Sequence, residues 1–170
     1  MVRKQRSLRT VRRTVLIVGE GYAEEAFLRH IRALYTSKQQ GFRMEIGNAR
    51  GKAAGHVVDH ALKLRARAQY DMVAALLDTD ADWTAVVRER AIAGEIMVLP
   101  SSPCLEALLL AVIGHGREGN TRSQKTRFLQ HFGGEAHEEN VIARQLTRPV
   151  LDKARHHVEA LDQLLKLIGC

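Results

Sequence analysis

The chain has 170 residues, of which 45% are apolar and 26% charged, and this composition suits one globular domain with a substantial core. Its longest apolar run, residues 105–113, is about half the roughly 20 residues of a membrane span, which excludes a transmembrane protein. The two cysteines, Cys104 and Cys170, lie far apart and exclude a disulfide framework, so we expect a protein of the reducing cytoplasm.

The net charge of +7 is concentrated at the start of the chain. Six basic residues precede the first acid, and they are Arg3, Lys4, Arg6, Arg9, Arg12 and Arg13. Of the 26 basic side chains, 20 remain beyond this segment, where they nearly balance 19 acids. We therefore predict that residues 1–13 form a basic arm that binds nucleic-acid phosphates by releasing counterions. The alternatives are a solubilising tail, or an arm that contacts the chain's own acids.

Strand and helix patterns alternate through the next hundred residues. Apolar segments predict strands at residues 14–18, 70–77 and 96–99, and an alternating segment predicts one at residues 42–46. Segments with helical spacing follow them at residues 23–35, 56–68, 83–93 and 104–113. This alternation predicts an α/β fold of the Rossmann type, with a mainly parallel four-stranded sheet flanked by helices.

The last third of the chain is predicted to be helical, at residues 122–132, 138–146 and 148–168. The last of these helices carries an apolar seam at Leu151, Ala154, Val158, Leu161, Leu165 and Ile168. We expect this seam to pack on the chain's own sheet, and a homodimer interface is the alternative. The predicted organisation is an arm (1–13), an α/β core (14–114) and a helical extension (115–170).

Polar residues follow three of the predicted strands. These are Glu20 after the first, Asp78, Asp80 and Asp82 after the third, and Ser101, Ser102 and Glu106 after the fourth. Because the carboxyl ends of parallel strands meet at one edge of a sheet, these groups should converge. Clustered carboxylates need a compensating charge, and oxygen ligands suit Mg²⁺ or Mn²⁺. The alternative for residues 78–82 is a turn with Asp82 as a helix N-cap, and for Glu20 an exposed loop acid.

The loop at residues 47–53 resembles a phosphate-binding P-loop but lacks the required glycine spacing and hydroxyl residue. Arg50 and Lys52 in this loop are nonetheless candidates for phosphate contact, and a flexible basic loop is the alternative. His56 and His60 stand one helical turn apart, a spacing that zinc can use. We predict structural or surface roles for both histidines.

Three ordered motifs resemble those of the RloB family. They read VLIVGEGYAEEAF at residues 15–27, DMVAALLDTDAD at residues 71–82 and PSSPCLEALLL at residues 100–110. The family is associated with restriction and phage-defence loci, and its core resembles Toprim nuclease domains. The resemblance implies that Glu20 is the acid/base residue and that Asp78 and Asp80 bind Mg²⁺. Glu25 and Glu106 match further acids of the family.

The leading hypothesis is a metal-dependent nuclease that cleaves phosphodiester bonds of nucleic acid, with Asp82 as a further ligand candidate. A second hypothesis is a non-catalytic component of a defence locus that binds nucleic acid or a partner protein encoded at the same locus. A third is a nucleotide-binding switch in which Asp78 is a receiver-like acid. It ranks last, because the sequence offers no convincing lysine partner.

Overall fold

The structure, a computed structural model, describes residues 13–36, 41–51, 53–79 and 82–170. Its sheet has four parallel strands in the order β2-β1-β3-β4, which confirms the predicted α/β class. The strands are β1 (Arg13–Gly19), β2 (Phe42–Asn48), β3 (Met72–Asp78) and β4 (Ile96–Ser101). Pro100 lies within β4, an edge strand, where a residue without an N–H group is tolerated.

Helices cover both faces of the sheet. They are α1 (Tyr22–Tyr35), α2 (Ala54–Arg65), α3 (Ala85–Ala93), α4 (Leu105–Val112), α5 (Thr121–Phe132), α6 (Glu139–Gln145), α7 (Arg148–Ala154) and α8 (Glu159–Leu167). Val15 and Ile17 of β1 face the core formed with α1 and the helices from α4 onward. Leu16 and Val18 face the core formed with α2 and α3. The apolar run of β1 is therefore continuous because the strand is buried on both sides.

The predicted single helix at residues 148–168 is wrong, because two helices, α7 and α8, replace it. The chain leaves the helix after Ala154, and Arg155 stabilises the turn. Arg155 Nε donates a hydrogen bond to Asp162 Oδ1 at 2.8 Å, and Arg155 Nη2 donates one to the Cys170 carbonyl at 3.0 Å. All six seam residues are buried in the chain's own core. The seam thus packs as the sequence favoured, and it offers no exposed dimer surface.

The predicted start of α3 is also wrong. The helix begins at Ala85, and its N-cap is Thr84, whose hydroxyl accepts a hydrogen bond from Val87 N–H at 3.4 Å. Asp82 therefore does not cap the helix. Within the part of the chain that the structure describes, no helix is long and apolar enough to cross a membrane.

Arg13, assigned to the basic arm from the sequence, is the first residue of β1, at the end of the strand opposite to Glu20. Its N–H group donates a hydrogen bond to the Gly41 carbonyl at 2.7 Å. The other five basic residues of the predicted arm lie outside the described residues, and they are Arg3, Lys4, Arg6, Arg9 and Arg12.

Candidate functional site

The candidate site lies where the strand order reverses. From β1 the chain passes to β2 on one side of it, and later returns to place β3 on the other. In parallel α/β sheets, ligands bind outside the carboxyl ends of the strands at such a switch point. Glu20 follows β1 and Asp78 ends β3, so both stand at this point. The Asp78 N–H group donates a hydrogen bond to Glu20 Oε2 at 3.2 Å.

Asp78 is the partly buried acid at the centre of the site. Burial raises the pKa of Asp78 to about 7, and the charges of Glu24, Glu20 and Glu106 act in the same direction. The buried Ser101 hydroxyl lies 2.9 Å from Asp78 Oδ1 and 3.0 Å from the Leu77 carbonyl, and its hydrogen bond to Asp78 lowers the pKa. A hydroxyl group has one proton, so it can donate to only one of these acceptors at a time. A protonated Asp78 can instead donate to Ser101.

Glu24 is the site residue that sequence reasoning missed. Only 7% of it is exposed, although it is a carboxylate in the first turn of α1. Its Oε2 atom accepts a hydrogen bond from Gly21 N–H at 2.8 Å. Burial raises the pKa of Glu24, and the charges of Glu20 and Glu106 raise it further. The signal was present in the sequence, since Glu24 shares the helical spacing of the buried Phe27, Leu28 and Ile31.

Gly19 makes room for Glu24. A Cβ atom placed on Gly19 would lie 2.6 Å from Glu24 Cβ, a separation that real side chains do not adopt. Both Cβ positions are fixed by backbone, so neither could move aside without shifting β1 or α1. The glycine at the end of β1 is therefore the local feature that lets a buried carboxylate approach the carboxyl edge of the sheet.

Glu106 is the fourth acid of the cluster and lies in the first turn of α4. Its Oε1 atom lies 4.0 Å from the Lys125 ammonium group of α5. Cys104, the N-cap of α4, is fully buried. Burial raises the pKa of the Cys104 thiol to about 12, and Glu106 and Asp78 add to the increase. The thiol therefore stays protonated beside the carboxylates and is not a nucleophile.

Glu25 is directed to the neighbouring loop. Its Oε2 atom accepts a hydrogen bond from Asn48 Nδ2 at 2.6 Å, and its Oε1 atom accepts one from Arg29 Nη2 at 2.5 Å. Asn48 Oδ1 in turn accepts the Arg50 N–H at 2.7 Å, and Arg50 has a φ of 64°. Gly51 N–H donates to the Glu20 carbonyl at 2.7 Å. Glu25 thus holds the loop that carries Arg50 against the Glu20 turn.

The sequence also predicts Asp80, Asp82 and Lys52 at this site. Asp82 is exposed in the loop before α3, and Asp80 and Lys52 lie outside the described residues. Among the residues that are described, no group of three or more His, Cys, Asp or Glu side chains could hold a metal ion as placed. The structure nevertheless brings four carboxylates near one another, because the charges of Glu20 and Glu106 act on both Glu24 and Asp78, and the charge of Glu24 acts on Asp78.

Comparison of the chain with models of protein families, with curated proteins and with solved structures finds no match in any of the three. The membership of the RloB family and the activity therefore remain proposals. They rest on the motifs of the sequence and on the geometry of the carboxylate cluster.

Proposed function

We propose that the chain is a metal-dependent phosphodiesterase that cleaves nucleic acid, similar to the RloB nucleases of restriction and phage-defence loci. The observation that carries the proposal is the convergence of Glu20, Glu24, Asp78 and Glu106 at the switch point of a parallel sheet, with an Asp78 pKa of about 7. Such a cluster is costly unless protons or a cation neutralise it. A donor set made only of carboxylate oxygens fits Mg²⁺ or Mn²⁺.

In this proposal Asp78 and Asp80 hold the ion, with Asp82 as a further candidate ligand. The ion would polarise the scissile phosphate and lower the pKa of the attacking water. Glu20 accepts the proton of that water as general base. The hydrogen bond from Asp78 N–H to Glu20 Oε2 supports this role, because it orients one carboxylate oxygen and couples Glu20 to the ligand residue. Glu24 and Glu106 supply the negative potential that favours a divalent cation.

Contacts to the substrate come from basic residues around this edge. Arg50 is exposed on a loop whose backbone is hydrogen-bonded to the Glu20 turn, so it is a candidate for contact with a phosphate at this edge. The basic residues that precede β1 would add contacts to the phosphate backbone. A cytoplasmic location and a partner protein encoded at the same locus belong to the same proposal.

The test is calorimetric titration of Mg²⁺ and Mn²⁺, with cleavage assays on single- and double-stranded DNA and RNA. We expect the wild type to bind the ion and to cleave, and Asp80→Ala and Asp78→Asn to lose both properties while remaining folded. Glu95→Gln is the control, because it removes one acid at the opposite edge of the sheet. Full metal-dependent activity in Asp80→Ala would contradict the ligand assignment.

The alternative is a nucleic-acid-binding protein without catalytic activity. It predicts binding of the same oligonucleotides by the wild type, no cleavage with either ion, and unchanged binding in Glu20→Gln. The hydrolytic proposal instead predicts that Glu20→Gln retains metal binding and loses cleavage. Binding and cleavage measurements on Glu20→Gln therefore distinguish the two proposals.

A further inference from the structure

Basic and histidine side chains form a narrow row along α2. His56, His60 and Lys63 recur at every third or fourth position, and Arg67 continues the spacing in the turn after the helix. At about 100° per residue, these four positions lie within roughly 60° of one another around the helix axis. The rings of His56 and His60 are nearly parallel, with centroids 6.4 Å apart. The row is therefore one side chain wide and runs lengthwise along the helix.

The opposite side of α2 is buried against the sheet. Its buried residues are Ala54, Val57, Val58 and Ala61. Lys63 and Arg67 are exposed, and His56 and His60 are partly so. Because the apolar side of the helix is already covered, α2 cannot insert into a lipid surface as an amphipathic interfacial helix does. The row is thus available to a ligand that binds by charge and not by apolar contact.

Positive groups accumulate around His60. Burial is the main cause that lowers the pKa of His60, and the charges of His56, Lys63, Arg67 and Arg50 lower it further. The acid of this helix, Asp59, is engaged by Arg90 of α3, whose Nη1 atom lies 2.7 Å from Asp59 Oδ1. Arg50, Lys63 and Arg67 therefore disfavour the charged form of His60, and a bound polyanion would offset this repulsion.

Arg50 connects the row to the carboxylate edge. It precedes α2, and its charge reaches His60. Its left-handed backbone is held by the hydrogen bond from Arg50 N–H to Asn48 Oδ1. The following residue, Gly51, is hydrogen-bonded to the Glu20 carbonyl. The row of positive charge thus starts at the proposed site and leads away from it.

We propose that Arg50, His56, His60, Lys63 and Arg67, here called the α2 stripe, bind the phosphate backbone of the nucleic-acid substrate as it leaves the carboxylate edge. The inference rests on the proposed function, because it takes the same polymer as ligand. The rise from His56 to Arg67 is about 16 Å, which is close to five nucleotides of one strand at 3.4 Å each. A straight, narrow row of positive charge is complementary to a linear polyanion.

The test measures binding of a labelled oligonucleotide of about 20 nucleotides, single-stranded and duplex, to the full chain in EDTA across a range of salt concentrations. Lys63→Ala/Arg67→Ala removes two phosphate contacts, so we expect the log–log salt slope to fall by about 1.4 for the single strand and about 1.8 for the duplex. Affinity for the single strand should fall roughly tenfold at about 0.15 M salt. Lys63 and Arg67 both lie on the surface, and thermal unfolding checks that the double variant remains folded.

The matched control is Arg43→Ala/Lys166→Ala. It changes the net charge by the same amount, at side chains outside the α2 stripe that are paired with Glu45 and Asp162. An equal loss of affinity in the control would overturn the α2 stripe, because it would reduce the effect to overall charge. Unchanged binding in Lys63→Ala/Arg67→Ala would overturn it as well, and so would stronger binding to phosphatidylserine vesicles than to the oligonucleotide.

A second readout is pH. A bound polyanion favours the protonated form of His60, whose pKa is lowered in the free protein by burial and by its positive neighbours, so the affinity should rise as the pH falls. The groups that set this response are His56, His60, Lys63 and Arg67, together with Arg50. His56→Gln/His60→Gln should remove most of the pH dependence while leaving the salt slope at high pH unchanged. A pH dependence that persists in this variant would exclude the histidines.

Failure of the α2 stripe and failure of the proposed hydrolysis can be distinguished. If the wild type cleaves, Lys63→Ala/Arg67→Ala should raise KM with kcat unchanged, because these contacts do not touch the reacting atoms. Cleavage with an unaltered KM would contradict substrate binding by the α2 stripe and would still support the proposed hydrolysis. Binding through the stripe without any metal-dependent cleavage would support the stripe and contradict the hydrolysis.

Discussion

Asp78→Asn should make the metal-free protein more stable at alkaline pH. The substitution replaces a carboxylate with an amide of the same shape, which can still hydrogen-bond to Ser101. It removes a negative charge that is partly buried and faces Glu20, Glu24 and Glu106. An isosteric substitution at a buried polar site usually lowers stability, so a gain would indicate that the Asp78 charge is repelled by the neighbouring carboxylates.

The sign follows from the pKa of Asp78, which is about 7 in the folded protein against an ordinary value of 3.8. Between these values the folded state binds more protons than the unfolded state, so the free energy of unfolding decreases as the pH rises from about 4 to about 7. At about 1.4 kcal/mol per pKa unit the upper bound is about 4 kcal/mol. Because the carboxylate is partly exposed and screened by solvent, we expect about 1–2 kcal/mol.

The assay is urea unfolding in EDTA at about pH 4 and about pH 8. Asp78→Asn should match the wild type at the lower pH and exceed it by about 1–2 kcal/mol at the higher pH. Asp71→Asn is the control of opposite sign at the other end of β3, since hydrogen bonds from Thr14 lower the pKa of Asp71. It should lose stability at the higher pH.

Addition of Mg²⁺ should reverse the order of the two proteins. At about 100 times its dissociation constant, a bound ion stabilises the wild type by about 2.7 kcal/mol, and Asp78→Asn should gain little. If Asp78→Asn were less stable than the wild type in EDTA at about pH 8, the carboxylates would not be in the electrostatic conflict inferred from the structure.

Three further predictions concern the surroundings of the site. Gly19→Ala should lower the free energy of unfolding by about 1–3 kcal/mol in a urea melt and weaken Mg²⁺ binding, because the new Cβ collides with Glu24. Native stability in this variant would contradict the close approach. In the folded protein Cys104 should react with a thiol reagent much more slowly than Cys170, and at the same rate in urea, as measured by mass spectrometry of peptides. Arg155→Ala should cost about 1–2 kcal/mol in a urea melt, because the turn before the last helix loses its hydrogen bonds; an unchanged melting midpoint would show that the turn forms without them.

The sheet could be predicted from sequence because its signal is local. Each strand is a short apolar or alternating segment that ends at a glycine or a polar residue, and each following helix has its own apolar spacing. The parallel arrangement then requires Glu20, Asp78 and Glu106 to meet at one edge. Their convergence was therefore predictable without any distance, since it follows from strand direction and the position of the switch point.

The break between α7 and α8 could not be predicted in the same way. The apolar spacing continues through Val158, so a single straight helix satisfies the local pattern equally well. What decides between the two is a tertiary contact, in which Arg155 reaches forward to Asp162 and to the Cys170 carbonyl. Periodicity reports which side chains are buried, and it does not report whether the backbone between them is continuous.

Glu24 and Glu25 show that a motif match does not identify which acid is buried at the site. Motif resemblance selected Glu25, yet Glu25 is hydrogen-bonded to Asn48 and Arg29, and Glu24 is the acid that is buried among the others. Neighbouring residues on a helix point about 100° apart, so the buried stripe of α1 distinguishes them where composition does not. An acid at an apolar position of a helix that follows a strand end is therefore a better candidate for a buried site residue than the acid that fits the motif.

The cluster has two ways to be neutralised, and they compete. Protons neutralise it below about pH 7, where Asp78 takes one up, and a divalent cation does so when Asp78 is ionised. Metal affinity should therefore rise about tenfold per pH unit below about pH 7 and level off above it, and calorimetry in two buffers of different ionisation enthalpy should show about one proton released per ion bound. Affinity that is independent of pH would mean that the ion binds elsewhere, and that the acids at the switch point are neutralised by protons alone.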